Sequence, residues 1–461
     1  MFGRTRPLET PFTPVNAMPR LRHCFWLTLL LAGAAAGRGQ DNPTTASGTV
    51  VNATSWSEAQ QSGGATSGSL HWSDAQEIAA GGNITLCATN ARPLLRDPRD
   101  MFHVIWAQNN QVCYARLPNG RDQWVVSKLP RYAKKGALAQ PMLANAGYAV
   151  FAAWTEGRQL VLTRSDDFGD SWQKPIVVAD QVATASISAA LKADGSPALV
   201  VVWGDTGKSQ VLYSTWGGHT WSAADFATPA PLSGNETAQR PTICSNGMIF
   251  FVAWGNAGAS PAGLSLRRST DYGQTWLPAA PATLLHDGKI QPLGGAAPAL
   301  AASADGTLYL AAENNHLTSL YSAPGGGTVF TPMGVLGGGV NPFVSTSDAG
   351  DIAVAWEYYY GKDSAYSAKR VGLVLYTNHG MSYVGPAAMP APNPDLLFAQ
   401  VQPFVLLRGP RLEVVWVDRH ASSALIYRCA TLGDETGDTQ TSPAPDANSA
   451  PAPAPAGPPG T

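Results

Sequence analysis

Short apolar runs that end in tryptophan recur along the chain at intervals of about 50 residues. Uninterrupted apolar runs of this length, bounded by turn residues, predict buried β-strands. A seventh run, residues 307–312, has the same pattern without the tryptophan. The six runs that end in tryptophan are residues 103–106, 148–154, 198–203, 249–254, 352–356 and 412–416.

A proline precedes most of these runs at a fixed distance. Pro93, Pro141, Pro241 and Pro403 each stand 13 residues before the tryptophan, and Pro342 stands 14 before it. We expect the proline at the first residue of a strand, where it removes no ladder hydrogen bond. The landmarks define seven units, each with four strand candidates. In the second unit these are residues 141–145, 149–154, 160–164 and 172–179.

The two ends of the repeat array complement each other. The seventh unit has only three strand candidates, and residues 69–78 resemble the fourth strand of the second unit, residues 171–178. Seven four-stranded sheets around an axis form a β-propeller, and closure removes the last exposed edge. The sequence predicts an all-β propeller over residues 69–433, closed by an N-terminal strand in the last blade. Six blades are the alternative, if one weak unit is an insertion.

A second motif follows the third strand candidate of two units. Ser165-x-Asp167-x-Gly169-x-Ser-Trp172 recurs as Ser269-x-Asp271-x-Gly273-x-Thr-Trp276. Aspartate accepts backbone N–H bonds in turns, and glycine adopts positive φ readily. The third unit has a copy that lacks the aspartate position. We therefore expect a structural role for Ser165, Asp167, Gly169, Trp172, Ser269, Asp271, Gly273 and Trp276.

This motif resembles the Asp-box, or BNR repeat, of the sialidase-like β-propellers. The resemblance implies that the boxes join strands three and four, on the face away from the active site. The candidate site then lies on the opposite face, formed by the loops between strands two and three and by the crossovers between blades. We call this the loop face, and the other the turn face. Function commonly gathers where such loops converge.

The loop face holds the candidate site residues. Sialidases use a tyrosine nucleophile, and the resemblance also implies a partner glutamate, an aspartic acid/base and an arginine triad that binds the sugar carboxylate bidentately. The matching set has Tyr358 as nucleophile, Glu313 or Glu357 as its partner, and Asp205 or Asp418 as acid/base. The predicted ligand-binding residues are Arg92, Arg240, Arg419, Tyr359 and Tyr360.

Two departures from the family pattern favour binding over catalysis. The family's first arginine lies in a Phe/Tyr-Arg-Ile-Pro motif, whereas here Arg92 and Arg240 are each followed directly by proline. The family commonly has six blades in its catalytic domain. We therefore predict a carbohydrate- or protein-binding module. The alternatives are a sialidase-like hydrolase acting on terminal acidic sugars and an extracytoplasmic scaffold or assembly factor.

Amino-acid composition restricts the classes of partner that we expect the protein to bind. Charged residues make up only 13% of the 461 residues, and 30 basic against 32 acidic residues give a net charge of −2. A nucleic-acid-binding domain is usually basic, so we expect a glycan or protein partner on the loop face and no nucleic acid. No phosphate-binding loop or metal-binding motif occurs, so no cofactor is expected. The sequence leaves the oligomeric state open.

The chain ends lie outside the predicted propeller. Residues 18–23 are basic and residues 24–37 are apolar, with small residues at 34–36, which is typical of a signal peptide. An uncleaved membrane anchor is the alternative, although a span needs about 20 apolar residues. We expect residues 1–39 to be the signal peptide region, and the mature protein to be secreted or periplasmic, with no membrane span.

Two low-complexity segments flank the propeller. Residues 40–68 predict a flexible linker, and residues 434–461 predict a Pro/Ala-rich disordered tail, because neither can bury enough apolar surface to fold. Four cysteines remain after signal cleavage, with no metal-binding spacing, and we expect buried thiols. They are Cys87, Cys113, Cys244 and Cys429.

Overall fold

The computed structural model confirms the predicted all-β class. All described residues belong to the compact unit Val50–Thr461. Within them, the helices are two 3-10 turns, Ala223–Asp225 and Pro324–Gly326, and no helix is long and apolar enough to cross a bilayer. The predicted segments 1–39, 40–68 and 434–461 lie outside the described residues. These are residues 70–133, 136–234, 237–256, 263–286, 289–290, 298–314, 316–359, 369–377, 380–383, 400–419 and 423–432.

Strands follow the predicted units in order, and the strand pairs within each unit are antiparallel. The N-terminal strands are β1 (Leu70–Trp72) and β2 (Gln76–Ala80). Unit 1 contains β3 (Ile84–Thr85), β4 (Leu94–Arg96), β5 (Phe102–Gln108), β6 (Gln111–Leu117) and β7 (Val125–Lys128). Unit 2 contains β8 (Leu138–Ala146), β9 (Ala149–Glu156), β10 (Gln159–Ser165) and β11 (Ile176–Ala179).

The next two units have the same arrangement. Unit 3 contains β12 (Val182–Leu191), β13 (Pro197–Asp205), β14 (Val211–Thr215) and β15 (Ala230–Pro231). Unit 4 contains β16 (Ala238–Asn246), β17 (Ile249–Asn256), β18 (Gly263–Ser269), β19 (Ala280–His286) and the short β20 (Lys289–Ile290), which pairs with β19.

Units 5 and 6 share one long strand. Unit 5 contains β21 (Ala299–Ala302), β22 (Leu308–Asn314), β23 (Leu317–Ala323) and the first part of β24 (Val329–Thr346). Unit 6 contains the rest of β24, β25 (Ile352–Tyr359), β26 (Lys369–Thr377) and β27 (Gly380–Tyr383). Unit 7 contains β28 (Gln400–Arg408), β29 (Arg411–Asp418) and β30 (Ala424–Leu432).

The long strand β24 was not predicted. It ends unit 5, where it pairs with β23, and opens unit 6, where it pairs with β25. Gly339, in its middle, has φ 152°, and a Cβ there would lie 2.2 Å from the Glu357 carbonyl oxygen. Only glycine fits so close to a neighbouring backbone. The chain therefore passes between units without a separate loop.

Both ends of the described chain meet in unit 7. Leu70 pairs with Leu432 and Trp72 with Ala430 in an antiparallel ladder. The strand β2 pairs with the same strand, β30. Unit 7 therefore draws strands from both ends of the repeat array.

The landmark tryptophans form the centres of the sheets. Each is 1% exposed or less, since it lies on a second strand covered on both faces. Burying a large apolar side chain fully contributes several kcal/mol, on the order of 3, to folding. These tryptophans are Trp106, Trp154, Trp203, Trp254, Trp356 and Trp416.

The prediction that the landmark proline opens a strand is wrong for Pro141 and Pro241. Pro141 and Pro241 are each the fourth residue of β8 and β16. Both lie in a β-bulge, where the pairing register shifts and no ladder donor is required. The preceding residues, Gln140 and Arg240, have φ 53°. The proline therefore marks a bulge inside the first strand.

Hydrogen bonds join the first strands of successive units. Gln140 Nε2 donates to Ala183 O at 2.9 Å between units 2 and 3, and Arg408 Nη1 donates to Arg96 O at 3.2 Å between units 7 and 1. The remaining neighbours are joined by Leu143 N–Arg92 O, Ser188 Oγ–Ser245 Oγ, Asn246 Nδ2–Ser303 O, Thr346 Oγ1–Ala302 O and Leu407 N–Ser345 Oγ.

Candidate functional site

The aspartates of the repeated motif are bonded within their own turns. Asp167 Oδ1 accepts from Ser171 N at 2.8 Å and from Ser165 Oγ at 2.7 Å. Asp271 makes the same contacts with Thr275 and Ser269. Burial raises the pKa of each carboxyl, but these hydrogen bonds outweigh it and hold both pKa values below the usual range. Both turns join third to fourth strands.

The other motif residues complete the turns. Gly169 and Gly273 have φ 84° and 83°, and each backbone N–H donates to the serine that opens its motif. Trp172 packs edge-on against Tyr114, with ring centroids 5.0 Å apart. Trp276 packs against Tyr213 in the same way at 5.6 Å.

In the third unit, which lacks the aspartate of the motif, an aspartate at a different position binds the backbone of the turn. Asp225, in the 3-10 turn after Trp221, accepts from His219 N at 2.9 Å and from Thr220 N at 3.0 Å. Sequence reasoning missed this residue because it follows the motif tryptophan by four positions instead of preceding it. The signal was a carboxylate soon after an incomplete motif.

The candidate carboxylates of the loop face are engaged in the fold. Glu357 is 2% exposed, pairs with Lys369 and accepts from Gln402 N at 3.0 Å. Asp205 accepts from the backbone of its own loop, including Gly207 N at 2.7 Å. Glu313 accepts from His316 N at 3.3 Å, and Asp418 is 5% exposed.

Glu156, on the same face, has a similar role. Its carboxylate accepts from Tyr132 N at 3.1 Å, Ala133 N at 2.9 Å and Trp154 Nε1 at 3.0 Å. Carboxylates that bind backbone N–H groups in this way fix loops in place.

The tyrosines and arginines of the predicted site do not all lie together. Tyr358 is half-buried and packs against the main core. Arg240 and Arg419 are exposed. The side chain of Tyr359 and all of Tyr360 lie outside what the structure describes. Arg92 lines a central cavity that neither Arg240 nor Arg419 lines.

A short segment of unit 1 fills the space between the first strands. Residues 86–91 leave the sheet after β3 and return before β4; we call them the plug segment. Asn90 Nδ2 donates to Ala185 O at 3.2 Å and to Pro241 O at 2.7 Å, which belong to units 3 and 4. Leu86 N donates to Gln402 Oε1 at 2.9 Å in unit 7. The plug segment thus bonds to three other units.

Sequence reasoning missed the plug segment. The interval from Trp72 to Pro93 matches the corresponding intervals in other units, so its length gave no signal. The available signal was the run Cys-Ala-Thr-Asn-Ala, whose side chains are too small and too polar for a buried strand. Cys87 Sγ donates to Ala91 O at 3.3 Å, and burial raises the pKa of this thiol well above its usual value.

A cavity of about 320 Å³ lies among the first strands. Arg92 follows the plug segment, and the other lining residues come mainly from the later halves of the first strands. The cavity is therefore nearer the turn face than the loop face. Its polar and charged lining consists of Arg92, Arg96, Asn145, Ser188, Ser245, Thr346, Asp348 and Arg408.

Arg96, in this lining, belongs to a buried ion pair. Arg96 Nε donates to Glu413 Oε2 at 2.8 Å, and Nη2 pairs with Oε1. Tyr427 Oη donates to Glu413 Oε1 at 2.8 Å. Desolvation by burial lowers the pKa of Arg96, but the hydrogen bonds and charge of Glu413 outweigh it and raise that pKa above its ordinary value.

A second buried polar cluster connects Asp97, His103 and Tyr114. His103 Nδ1 bonds to Tyr114 Oη, and His103 Nε2 lies 3.4 Å from Asp97 Oδ2. The rings and the carboxylate are buried, so the cluster has no access for a substrate. Burial lowers the pKa of His103, and the Asp97 charge offsets part of that effect.

Acidification is expected to destabilise the protein through His103. Its folded-state pKa lies below the unfolded value of about 6.5, so its contribution is complete above that pH. It is lost as the pH falls through the folded-state pKa, because the unfolded state then binds more protons. Urea midpoints should fall as the pH drops below about 6.5, and His103→Gln should flatten that fall. An equally steep fall in His103→Gln would show that another group is responsible.

Comparisons with known proteins give no family for the chain. No family model and no curated protein matches it. Among solved structures, polysaccharide lyase Uly1 has TM-score 0.46 at 10% identity, covering 74% of this chain and 90% of the lyase. Trypanosoma rangeli sialidase with the inhibitor DANA has TM-score 0.42 at 11% identity, covering 74% and 55%. Penicillium chrysogenum alpha-L-arabinanase has TM-score 0.42 at 12% identity, covering 68% and 99%.

Similarity at this level assigns no activity to the chain. Within the described ranges, no group of three His, Cys, Asp or Glu residues is placed to hold a metal ion. Three of the cysteines are free and buried, and Cys429 is free and half-buried.

Proposed function

We propose that this chain is a closed, seven-bladed β-propeller that binds an acidic glycan or protein on its loop face without catalysis. The blade count and closure are supported by the hydrogen bonds that join the first strands of successive units back to unit 1. The pairing of β1 with β30 supports closure as well. We propose that the protein acts after export, since its N-terminal region is typical of a signal peptide.

The absence of catalysis is supported by the state of the candidate carboxylates. A general acid/base must reach the substrate within hydrogen-bonding distance. Glu357 is instead buried and held by Lys369 and by Gln402 N. Asp205 is held by its own loop. The engagement of these carboxylates in the fold is the observation that carries the proposal.

The choice of an acidic ligand rests on the charges that the loop face exposes. Its carboxylates Glu156, Glu357 and Asp418 are buried, and Asp205 and Glu313 are half-buried, whereas its cations reach solvent. Among the described residues of this face, the exposed cations outnumber the exposed carboxylate Asp180, and an excess of exposed positive charge attracts anionic partners and raises their association rate. The exposed cations are Arg158, Lys208, Arg240 and Arg419.

Binding and turnover assays on one set of variants test the proposal. We expect the mature chain to bind acidic glycans or an acidic protein partner on an array, and Arg240→Ala/Arg419→Ala to weaken binding at least tenfold. Arg121→Ala is the matched control, because Arg121 is exposed in a turn between third and fourth strands. No turnover of a fluorogenic sialoside is expected.

Three results would contradict the proposal. Sialoside turnover that Tyr358→Phe abolishes would establish a hydrolase in place of a binding module. Equal weakening by Arg121→Ala and by the loop-face pair would mean that the loop face has no special role. Absence of binding to acidic glycans and proteins would also reject it.

A further inference from the structure

The central cavity contains a guanidinium that has no counter-charge among the residues that the structure describes. Among the described residues, Arg92 Nη2 has one long bond, 3.5 Å, to Leu300 O, and its guanidinium lies 5.9 Å from the Phe343 ring centroid. No carboxylate among the described residues lies within 4 Å of it. Burial lowers the pKa of Arg92. A buried charge is costly unless it is paired, so this side chain is suited to receive an anion.

The neighbouring groups do not neutralise Arg92. Cys244 lines the same cavity, but burial raises the pKa of its thiol to about 12, so it is uncharged near neutral pH. Glu413 is already bound by Arg96 and Tyr427. Asp348 lines the cavity but is exposed, and it forms no ion pair within the described part of the chain.

Arg408 adds a second positive charge. Its Nη1 donates to two backbone carbonyls, Arg96 O at 3.2 Å and Asp97 O at 2.8 Å. These bonds fix the guanidinium in place without neutralising it, because the carbonyls carry no charge. Its Nη2 and Nε remain as donors for a ligand. Two guanidinium groups in one cavity suit a carboxylate, which accepts paired N–H donors.

The rest of the lining suits hydroxyl groups. Ser188 Oγ and Ser245 Oγ lie 2.8 Å apart, and Asn145 and Thr346 add an amide and a hydroxyl. Each can donate and accept hydrogen bonds. A volume of about 320 Å³ falls at the small end of ligand sites. Space, charge and polarity together fit a molecule of monosaccharide size.

We propose that the central cavity binds a small, hydroxylated organic anion, with its carboxylate on Arg92 and Arg408 and its hydroxyls on Ser188, Ser245 and Asn145. This site is separate from the loop face: it lies beyond the plug segment, toward the turn face. The exposed Asp348 disfavours a second negative charge. A singly charged sugar acid therefore fits better than a phosphate dianion.

Calorimetric titration of the mature chain tests this site with defined probes. We expect glucuronate to bind and glucose, which lacks the carboxylate, not to bind. Arg408→Gln and Arg92→Gln should each weaken glucuronate binding at least tenfold, the typical effect of losing a charge-assisted hydrogen bond. Asp348→Asn should tighten it about twofold to fivefold, because a like charge is removed.

Two controls separate this site from the proposed function and from misfolding. Arg240→Ala/Arg419→Ala should bind glucuronate normally, even if it loses the loop-face ligand. Asp348→Asn changes an exposed residue, so we expect this variant to fold normally. Tighter glucuronate binding by Asp348→Asn would therefore support the site even if the arginine variants misfold. Glucuronate binding unchanged in Arg408→Gln and Asp348→Asn would overturn the assignment. So would tighter binding of inorganic phosphate than of glucuronate, or no binding of either at millimolar concentration.

Discussion

Glu413→Leu is expected to lower the free energy of unfolding by about 3–5 kcal/mol, the typical cost of removing one partner from a buried ion pair. Glu413 is 1% exposed and accepts hydrogen bonds from Arg96 and Tyr427. Leucine has a similar volume, so the loss arises from a buried guanidinium and a hydroxyl that lack their acceptor. Urea unfolding followed by tryptophan fluorescence measures the change.

The matched control replaces the whole buried network. Arg96→Met/Glu413→Leu/Tyr427→Phe leaves no unpaired polar group at this position. Replacing a complete buried ion-pair network with apolar residues is often neutral or stabilising. We therefore expect this triple variant to recover most of the loss. A triple variant no more stable than Glu413→Leu would show that packing at this position, and not the unpaired charge, sets the cost.

Asn90→Ala is expected to cost about 2–4 kcal/mol and to release the plug segment. Asn90 is 2% exposed, and its amide bonds two carbonyls, Ala185 O and Pro241 O. Each buried acceptor left without a donor costs about 1–3 kcal/mol. Release would also expose Cys87, which is buried in the native protein. Reaction with a thiol reagent under native conditions should therefore become faster.

Asn246→Ala is the matched control for this prediction. Asn246 Nδ2 also donates to two carbonyls, Ser303 O at 2.8 Å and Ala304 O at 3.1 Å, but its side chain is half-exposed, so water can replace it. We expect a loss below about 1 kcal/mol and no change in Cys87 reactivity. Similar losses and thiol rates in the two variants would show that the plug segment does not depend on Asn90.

The repeated features of the fold were predictable because they depend on local chemistry. The buried strands follow from apolar runs such as the one ending in Trp154, and the turn residues Asp167 and Gly169 have conformations that their own chemistry favours. Such features need only a few neighbouring residues to be recognised. The all-β class therefore followed from the sequence alone.

The central features were not predictable, because they depend on contacts between distant residues. Asn90 bonds to residues 95 and 151 positions away, and nothing near it in sequence indicates those partners. Arg92 was predicted to share a site with Arg240 and Arg419, since each of two arginines precedes a unit-opening proline. Its position after the plug segment instead places it in the central cavity, which local pattern does not reveal.

The pairing of β1 with β30 has a kinetic consequence. Arg428 Nε donates to Ser73 O at 2.7 Å across 355 residues of sequence, so unit 7 assembles only after nearly the whole chain has been synthesised. Contacts of such long sequence separation slow folding, since loop-closure entropy must be overcome before they form. Until then β1 and β2 lack their partner strand, and their edges stay open to other strands. We therefore expect the pairing of residues 70–80 with β30 to form late in folding. Once formed, it should protect the newly synthesised protein from aggregation.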